Sequence, residues 1–399
     1  MSPRINKGAG LVVKQATKKQ KLPSSEIGAM IRKQREAMKM TVAQLAELVG
    51  VSRNTITNYE SDKTEPSASD LVRLSNALGC RVEEFLGIVA ATDPPRFAFR
   101  AHASLKKDPS IIVSARRFLR AYSEIEEITE AVLCDRLQPY VFETNGPLKD
   151  RELEGLAEDL RQGCGLHDCG PENIASVLEG LGVRCLFFNF DAPGLDGISV
   201  IQGDLKLTML KDSEKNVERI IFSGAHELGH LVLHPFLFTA SDVDPEITRD
   251  FEKEANKFAG YFLVPSNELV RVWREERLDR LPPFHALLIL KRVFHVSYWC
   301  LFYRLRDLGL IDYDYPRFIN HTKKFMSITG TVKIQDLEPE PLEVSAIYRT
   351  TRFERLVRSA FIQELIGVSK VAEMLQISVE DATVETSKWL KPKGAPRYQ

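Results

Sequence analysis

The chain has 399 residues, of which 44% are hydrophobic and 27% are charged, and its formal net charge is −1. This length allows two or three domains, and this composition is typical of a globular protein and excludes a fibrous or wholly disordered chain. No apolar run approaches the roughly 18–20 residues that a membrane helix needs, and the chain does not open on a signal-peptide pattern. The six cysteines lack the spacing of a disulfide framework. We therefore expect a cytoplasmic protein with no membrane partner.

Positive charge is concentrated at the N-terminal end. Residues 1–40 contain ten Lys or Arg residues and two acids, an excess that is typical of segments that bind polyanions. Residues 1–24 are rich in lysine and contain no aromatic residue. We interpret them as a basic disordered arm that could contact phosphates, the alternative being a solvated tail.

Short helices follow in close succession over residues 25–88. Thr41 and Ser52 are placed to cap two short helices, and Gly50-Val51 makes the tight turn between them. One helix precedes this pair and two follow it. Two short helices joined in this way predict a helix-turn-helix.

This stretch resembles the lambda-repressor/Cro-like (XRE) helix-turn-helix family. The matching residues are Ile31, Arg32, Arg35, Thr41, Leu45, Ala46, Gly50, Val51, Ser52, Thr55, Ile56, Tyr59, Glu60, Pro66, Leu71, Leu74, Ala77, Leu78, Gly79, Phe85 and Leu86. The resemblance implies a five-helix domain whose second short helix enters the major groove of double-stranded operator DNA. We also expect a homodimer.

The same resemblance implies which side chains contact DNA. Those that would reach bases or phosphates are Arg53, Asn54, Thr55, Thr57 and Asn58, with Gln44 and Lys63 positioning the DNA backbone. Val42 departs from the family, which often has Gln just after the first cap, so no contact is expected there. A helical domain that binds only protein is the alternative.

Residues 89–109 contain three prolines and break the helical periodicity, which predicts a linker. Helices are predicted next over residues 111–132, 148–162 and 171–180. A buried strand over residues 183–188 and a hairpin over residues 197–210 then predict a small β-sheet. The predicted fold class is therefore mainly α with a small β-sheet, an α+β arrangement.

An apolar stretch that Pro235 ends contains the motif H-E-x-x-H. On a helix, His226 and His230 lie on one face about 6 Å apart at Cβ, so they can share one metal ion. Glu227 lies one step round, where it can act as a general base, and zinc would supply the Lewis acid. The alternative is a polar patch, but buried histidines and carboxylates need partners, and the apolar flanks argue for burial.

A catalytic zinc usually has three protein ligands and one open position. His234 lies one turn further along the helix axis than His230, so we predict a histidine at the helix C-terminus and not a ligand. On the next helix, Glu252 can bind zinc while Asn256 orients a histidine ring. Glu254 is predicted to be solvated. The alternative for Glu252 is an ordinary surface acid.

These motifs resemble the ImmA/IrrE family of zinc metallopeptidases over about residues 150–312. The segments that carry the resemblance are His226-Glu-Leu-Gly-His-Leu-Val-Leu-His234, Glu252-x-x-Ala-Asn256, Leu263-Val-Pro265, Leu181-Gly-Val-Arg and Leu195-Asp-Gly-Ile-Ser-Val. The resemblance implies a gluzincin-like metalloendopeptidase domain that binds Zn²⁺ through His226, His230 and Glu252 and uses Glu227 as the base. Val264, where Met is common, is a modest departure. Members of that family cut or relieve repressors, and many are fused to XRE domains.

The C-terminal part is predicted to be irregular over residues 312–345 and helical over residues 352–389. Residues 368–378 have the spacing of a second small helix-turn-helix, which could bind a partner, bind DNA or pack on the peptidase domain. We favour packing or partner binding. The predicted domains are a basic disordered arm (1–24), a helix-turn-helix domain (25–88), a linker (89–109), a zinc peptidase domain (110–312) and a helical C-terminal segment with a disordered tail (313–399).

Two functions fit this organisation. The first is a transcriptional regulator whose zinc metalloendopeptidase domain cleaves a protein partner, such as a repressor. The second is a non-proteolytic autorepressor, the antitoxin of a toxin–antitoxin pair, in which the peptidase fold senses a signal or binds the toxin. A further cluster, Cys164-Gly-Leu-His-Asp-Cys169, lacks a fourth ligand for a structural zinc, and we interpret it as a loop with free thiols.

Overall fold

The structure, a computed structural model, describes residues 25–88, 96–97, 109–142, 147–189, 195–212, 217–238, 245–312, 314–330 and 351–390. The chain divides into two compact units, residues 1–92 and residues 93–399. The predicted basic arm and the predicted C-terminal tail lie outside the described residues. The domain boundaries drawn from the sequence remain predictions.

The described part of the first unit, residues 25–88, contains five helices, which are α1 (Ser25–Ala37), α2 (Val42–Val49), α3 (Arg53–Glu60), α4 (Ala68–Leu78) and α5 (Val82–Phe85). Thr41 and Gln44 form a capping box at the start of α2, and Gly50, with φ of +74°, ends that helix in the left-handed region. Ser52 then accepts a hydrogen bond from the backbone N–H of Thr55 and starts α3. The five-helix pattern predicted from the sequence is confirmed.

An ion pair fixes α3 against α1. Arg35 donates from Nε to Oε1 of Glu60 at 2.6 Å and from Nη2 to Oε2 at 3.0 Å, and its Nη1 reaches the carbonyl of Met40 at 2.8 Å. Ile31, Leu45 and Ile56 are fully buried. The bidentate pair adds orientation to a core that apolar contacts alone would hold less specifically.

The second unit contains a four-stranded sheet in the order β1-β3-β4-β2. Its strands are β1 (Arg96–Phe97), β2 (Arg184–Phe188), β3 (Gly197–Gln202) and β4 (Leu205–Lys211). The predicted β3–β4 hairpin is confirmed, with Gly203 at φ +56° in its turn, and β2 runs parallel to β4. β1 lies in the stretch predicted to be a linker and pairs with β3, so that part of the linker prediction is wrong.

Twelve helices of the second unit are described: α6 (Pro109–Ile128), α7 (Asp150–Gly163), α8 (Ile174–Gly180), α9 (Val217–Leu233), α10 (Pro245–Leu263), α11 (Ser266–Glu275), α12 (Pro283–Phe294), α13 (Tyr298–Asp307), α14 (Tyr315–Thr329), α15 (Arg352–Ile362), α16 (Val368–Leu375) and α17 (Val379–Leu390). They confirm a fold that is mainly α with a small sheet. α9 is central, because it contacts β3, β4, α8 and α10.

Two glycines let α9 approach its neighbours closely. A Cβ atom at Gly224 would lie 2.5 Å from Cγ1 of Ile174 on α8, and one at Gly229 would lie 3.0 Å from Cδ1 of Phe258 on α10. Gly229 is the glycine within the H-E-x-x-H motif. One of the two unspecified positions of the motif is therefore occupied by a residue that allows close packing of α9 against α10.

The C-terminal helices α15 and α16 pack against α6 within the second unit. Arg352 donates from Nη1 to Oε1 of Glu126 on α6 at 2.7 Å, and the buried ring of Phe353 lies 5.1 Å from that of Tyr122. Packing, one of the two roles we favoured, is confirmed, while partner binding stays a prediction. α14 corrects the prediction of irregular structure, since Asp314 caps a helix there by accepting from the N–H of Arg317.

Within the described residues, no single helix combines the length and apolar character needed to cross a membrane. The consecutive helices α12 and α13 reach that length and composition only when taken together across a bend of 103°.

Candidate metal centre and nucleic-acid interface

Three predicted ligands converge between α9 and α10. Nε2 of His226 and Nε2 of His230 lie 3.0 Å apart, and the Glu252 carboxylate lies 3.4 Å from the first and 3.3 Å from the second. All the potential ligand atoms lie within 4.8 Å of one another. Ligands bound to zinc at 2.0–2.1 Å in a tetrahedron lie about 3.3 Å apart. The spacing therefore suits one small cation.

The His226 ring has a hydrogen-bond partner on α10. Oδ1 of Asn256 lies 3.0 Å from Nδ1 of His226. Because an amide oxygen only accepts, Nδ1 carries the proton and the lone pair of Nε2 faces the other two side chains. Asn256 thus lies where the sequence predicted an orienting residue, and its role there remains a prediction.

His234 directly follows α9, at the helix end where the sequence predicted it, whereas Glu254 does not have the solvated position that was predicted. His234 is 1% exposed, and its Nδ1 lies 3.0 Å from Nδ1 of His230. Its Nε2 lies 3.1 Å from Oε2 of Glu254, which is 6% exposed, and Oε1 of Glu254 accepts from the N–H of Leu148 at 2.6 Å. The prediction that Glu254 is solvated is wrong, because the end of α9 and the segment before α7 cover it.

The environment of the cluster favours a bound cation. Oε1 of Glu252 is buried and has no hydrogen-bond partner among the described residues. Burial opposes ionisation of this carboxyl, but the contacts with His226 and His230 hold the pKa of Glu252 well below its usual range. Burial lowers the pKa of His230 to about 4, so its ring is neutral and can act as a ligand at neutral pH. An anionic carboxylate and two imidazole nitrogens are donors that zinc prefers.

Glu227 lies beside the cluster on the sheet side of α9. It is 2% exposed. A Cβ atom at Gly197, the first residue of β3, would lie 2.9 Å from Cγ of Glu227 and 3.2 Å from its Oε1. Gly197 therefore leaves the space that the carboxylate occupies. The sequence argument did not identify this glycine, although it lies in the Leu195-Asp-Gly segment quoted for the family resemblance.

A cleft of 540 Å³ has Asn256, the hydrogen-bond partner of His226, in its lining, but none of the three candidate ligands. Its lining includes Asn256, the aromatic side chains of Phe222, Tyr261, Trp299 and Tyr303, and Arg304. Clefts with mostly apolar walls and a few polar groups are typical of ligand sites. The sequence argument missed this cleft because its lining comes from three separate helices.

The predicted DNA-contacting side chains lie on or beside α2 and α3. Arg53, Asn54, Thr57 and Lys63 are exposed, while Gln44, Thr55 and Asn58 are half-buried. Several hydroxyl and amide groups already have internal partners. Thr57 donates to the carbonyl of Arg53 at 3.1 Å, and Oε1 of Gln44 accepts from the N–H of Thr41 at 2.9 Å.

Arg53 and Asn54 are the residues of this set best placed for DNA. Both are exposed at the first turn of α3, and no side-chain hydrogen bond occupies either of them among the residues that the structure describes. In a helix-turn-helix, the N-terminal residues of the second helix are those that contact base edges. The contacts themselves remain predictions.

Comparisons with known proteins match the two regions of the chain in which these candidate sites lie. Residues 31–85 match the family model of the helix-turn-helix domain, and residues 178–306 match that of the IrrE N-terminal-like domain of the M78 peptidases. A solved structure of a Mycobacterium tuberculosis transcriptional regulator aligns with a TM-score of 0.30 and 18% identity, covering 47% of this chain and 51% of that chain.

Two curated relatives show the extent of sequence similarity. Repressor protein C2 of Salmonella phage P22 is 38% identical over 60 residues, which cover 15% of this chain and 28% of that protein. The uncharacterized HTH-type transcriptional regulator YobD of Bacillus subtilis is 33% identical over 64 residues, covering 16% of this chain and 57% of that protein. The chain thus spans between about a quarter and just over half of these relatives, and 19% of matching Methanococcus maripaludis proteins. It combines an XRE-type helix-turn-helix domain with an ImmA/IrrE-type domain of the M78 peptidase family.

Proposed function

We propose that this protein is a DNA-binding transcriptional regulator whose second unit is a zinc-dependent peptidase acting on a protein partner, such as a repressor. The observation that carries the proposal is the convergence of His226, His230 and Glu252 beside the buried carboxylate of Glu227. Oε1 of Glu252 is buried without a hydrogen bond to any described residue, and this supports a cation at that point, since burying a charged oxygen without a hydrogen bond is costly.

The residues have separable roles in peptide hydrolysis. Bound zinc would supply Lewis-acid chemistry toward water and the scissile carbonyl. Glu227 takes the proton of the attacking water and passes it to the leaving amine, as a general base and then a general acid. Asn256 holds the His226 ring by its Nδ1. The aromatic cleft beside Asn256 accepts a side chain of the partner.

The first unit binds operator DNA and so brings the peptidase unit to that DNA. Arg53 and Asn54 reach base edges in the major groove, and Lys63 and Gln44 position the DNA backbone. A homodimer would place two copies of α3 one helical turn apart on an operator. This assignment rests on the match of residues 31–85 to the helix-turn-helix model. We place the protein in the cytoplasm, where its operator DNA would be.

The test compares the wild-type protein with Glu227→Gln. A matched control is Glu158→Gln, an exposed glutamate on α7. Each form is produced together with the proteins encoded beside its gene, and new N-termini are identified by mass spectrometry. Zinc per chain is measured by atomic emission. We expect all three proteins to bind zinc and only Glu227→Gln to lose cleavage.

Two outcomes would contradict this proposal. If Glu227→Gln generates the same fragments as the wild type, Glu227 is not the base. If neither protein cleaves anything and both regulate the same operator equally, the non-proteolytic antitoxin function replaces the peptidase.

A further inference from the structure

A line of buried polar groups leads away from the three candidate metal ligands, on the side of His230 opposite to Glu252. It begins at Nδ1 of His230, which lies 3.0 Å from Nδ1 of His234. It continues from Nε2 of His234 to Oε2 of Glu254 at 3.1 Å and ends at the N–H of Leu148, which donates to Oε1 of Glu254 at 2.6 Å. The peptidase chemistry described above uses neither His234 nor Glu254.

Burial makes the proton positions along this line definite. His230 and His234 are each 1% exposed and Glu254 is 6% exposed, so water does not compete for these hydrogen bonds. The rings of Phe251 and Phe236 pack against His234, with centroid distances of 4.8 Å and 6.2 Å. In such surroundings each polar atom must be matched to its neighbour as donor or acceptor.

Donors and acceptors along this line can be assigned from Leu148 towards His230. The N–H of Leu148 can only donate, and a carboxylate only accepts, so Nε2 of His234 carries a proton and donates it to Glu254. A neutral imidazole has one donor and one acceptor, so Nδ1 of His234 accepts. Nδ1 of His230 must then carry the proton, which leaves the lone pair of Nε2 on the side of His226 and Glu252.

We propose that His234 and Glu254 are positioning residues that hold His230 in the tautomer whose Nε2 can bind the metal. The inference rests on the proposed zinc site and extends it by two residues. It also gives the two metal-facing histidines different supports, since Asn256 orients His226 and a histidine–glutamate pair orients His230. The carboxylate of Glu254, at the far end of this line of hydrogen bonds, raises the basicity of the ligand nitrogen of His230. A neutral amide such as that of Asn256 does so less well.

Glu254→Gln is the most informative variant because it would reverse the direction of every hydrogen bond along this line while keeping the size of the side chain. The amide oxygen would be required by the N–H of Leu148, so the NH₂ group would face Nε2 of His234. His234 would then carry its proton on Nδ1 and donate to His230. His230 would have to present its Nδ1 lone pair to that proton and carry its own proton on Nε2, where it opposes metal binding.

His234→Phe tests the other member of the pair. The phenyl ring keeps the packing against Phe251 and Phe236 but cannot accept a proton from His230. Glu179→Gln is the matched control, since it changes another buried glutamate whose partners are Tyr122, Arg352 and Arg355 and not the metal cluster. The zinc dissociation constant of the full chain is measured by competition with a chromophoric chelator, and folding by thermal unfolding of the metal-free form.

We expect Glu254→Gln and His234→Phe each to raise the zinc dissociation constant about 10- to 100-fold, the usual effect of removing such a support. Glu179→Gln should leave it within about twofold of the wild type. With ¹⁵N-labelled histidine, the zinc-bound wild type should show protonated Nδ1 on His230 and protonated Nε2 on His234. Metal-free Glu254→Gln should show the opposite assignment for His234.

The outcomes separate this inference from the proposed function. If the wild type binds zinc and both variants bind it equally well, or if His234 is protonated at Nδ1 in the wild type, the positioning role is wrong while the zinc site stands. If the wild type binds no zinc, both are overturned. A variant that fails to fold shows it in the thermal unfolding, and the tautomer measured in the wild type then decides.

Discussion

The two candidate sites of this protein are built in opposite ways. On α3, Arg53 and Asn54 are exposed at the start of a capped helix, and their side chains have no hydrogen bond to other described residues. Between α9 and α10, His226, His230 and Glu252 are tied to one another and to further groups behind them. One site is a set of separate side chains, and the other is a connected network.

This difference determines how each site responds to change. Exposed side chains that do not share partners contribute nearly independently to binding. The binding free-energy changes of their substitutions should therefore add, and the stability of the fold should remain almost unchanged. Buried networks are different, because the removal of one group leaves its neighbours without a partner or out of place. Two predictions test this contrast and a third concerns a buried acid outside both sites, in order of decreasing expected effect.

Gly197→Ala should impair the buried site although position 197 contributes no side chain to it. The new Cβ would lie 2.9 Å from Cγ of Glu227, so the carboxylate must move. A displacement of about 1 Å at a reacting group costs on the order of 100-fold in rate. We expect a loss of this size in the rate of partner cleavage, with zinc content unchanged.

Gly155→Ala is the control for this change. A Cβ at position 155 on α7 would meet nothing within 4 Å, so cleavage should be unaffected and helix stability slightly increased. If Gly197→Ala cleaves its partner at the wild-type rate, the carboxylate tolerates displacement and the buried site is less connected than we describe.

Arg53→Ala and Asn54→Ala should weaken operator binding by about 1–3 kcal/mol each, as is usual for a side chain that contacts a base edge. Because both residues are exposed, the unfolding temperature should hardly change. Binding to the DNA upstream of the protein's own gene is measured by fluorescence anisotropy at several salt concentrations. An affinity that ignores both substitutions and does not weaken with salt would exclude this DNA interface.

The smallest expected effect concerns Glu179, a buried acid far along the chain from the metal ligands. Burial raises the pKa of Glu179 from 4.5 to about 7. The folded protein therefore holds this proton more tightly, so the residue stabilises the fold below about pH 4.5, and this contribution is lost as the pH rises through 7. Glu179→Gln should remove that dependence.

The measurement is thermal unfolding of the metal-free protein at pH 5 and pH 8. Between these values the wild type should lose about 5–10 °C more than Glu179→Gln, which corresponds to roughly 2.5 kcal/mol. Glu158→Gln, an exposed change of the same type, should follow the wild type. Parallel pH dependence in all three proteins would show that Glu179 ionises in the folded state as an ordinary glutamate does.

Much of this molecule can be read from its sequence because local patterns determine local structure. The caps at Thr41 and Ser52, the turn at Gly50 and the β3–β4 hairpin were all predicted, and the structure confirms them. The four-residue spacing of the two metal-facing histidines places their rings together on any α-helix. Such features need no knowledge of distant contacts.

The failures come from contacts between distant segments. Glu254 lies about 200° round α10 from Glu252, so helical phase indicated a different face. The helical phase of a residue does not reveal what packs on its face of the helix. In the structure, the end of α9 and Leu148 cover Glu254. β1 was missed for the same reason, since its two residues are a strand only because they pair with β3.

α14 is a different case, since a local signal was present. Asp314 lies at a cap position and Pro316 in the first turn, both common at helix starts. The prediction of irregular structure over residues 312–345 did not use this signal. The position of a proline relative to a capping residue distinguishes the start of a helix from its interruption.

Asn256 belongs both to the cleft and to the support of His226. A small molecule shaped to the aromatic walls of that cleft would meet this amide at its inner end. By turning the amide it would withdraw the acceptor from the His226 ring. An inhibitor of the proposed peptidase would then need no metal-chelating group.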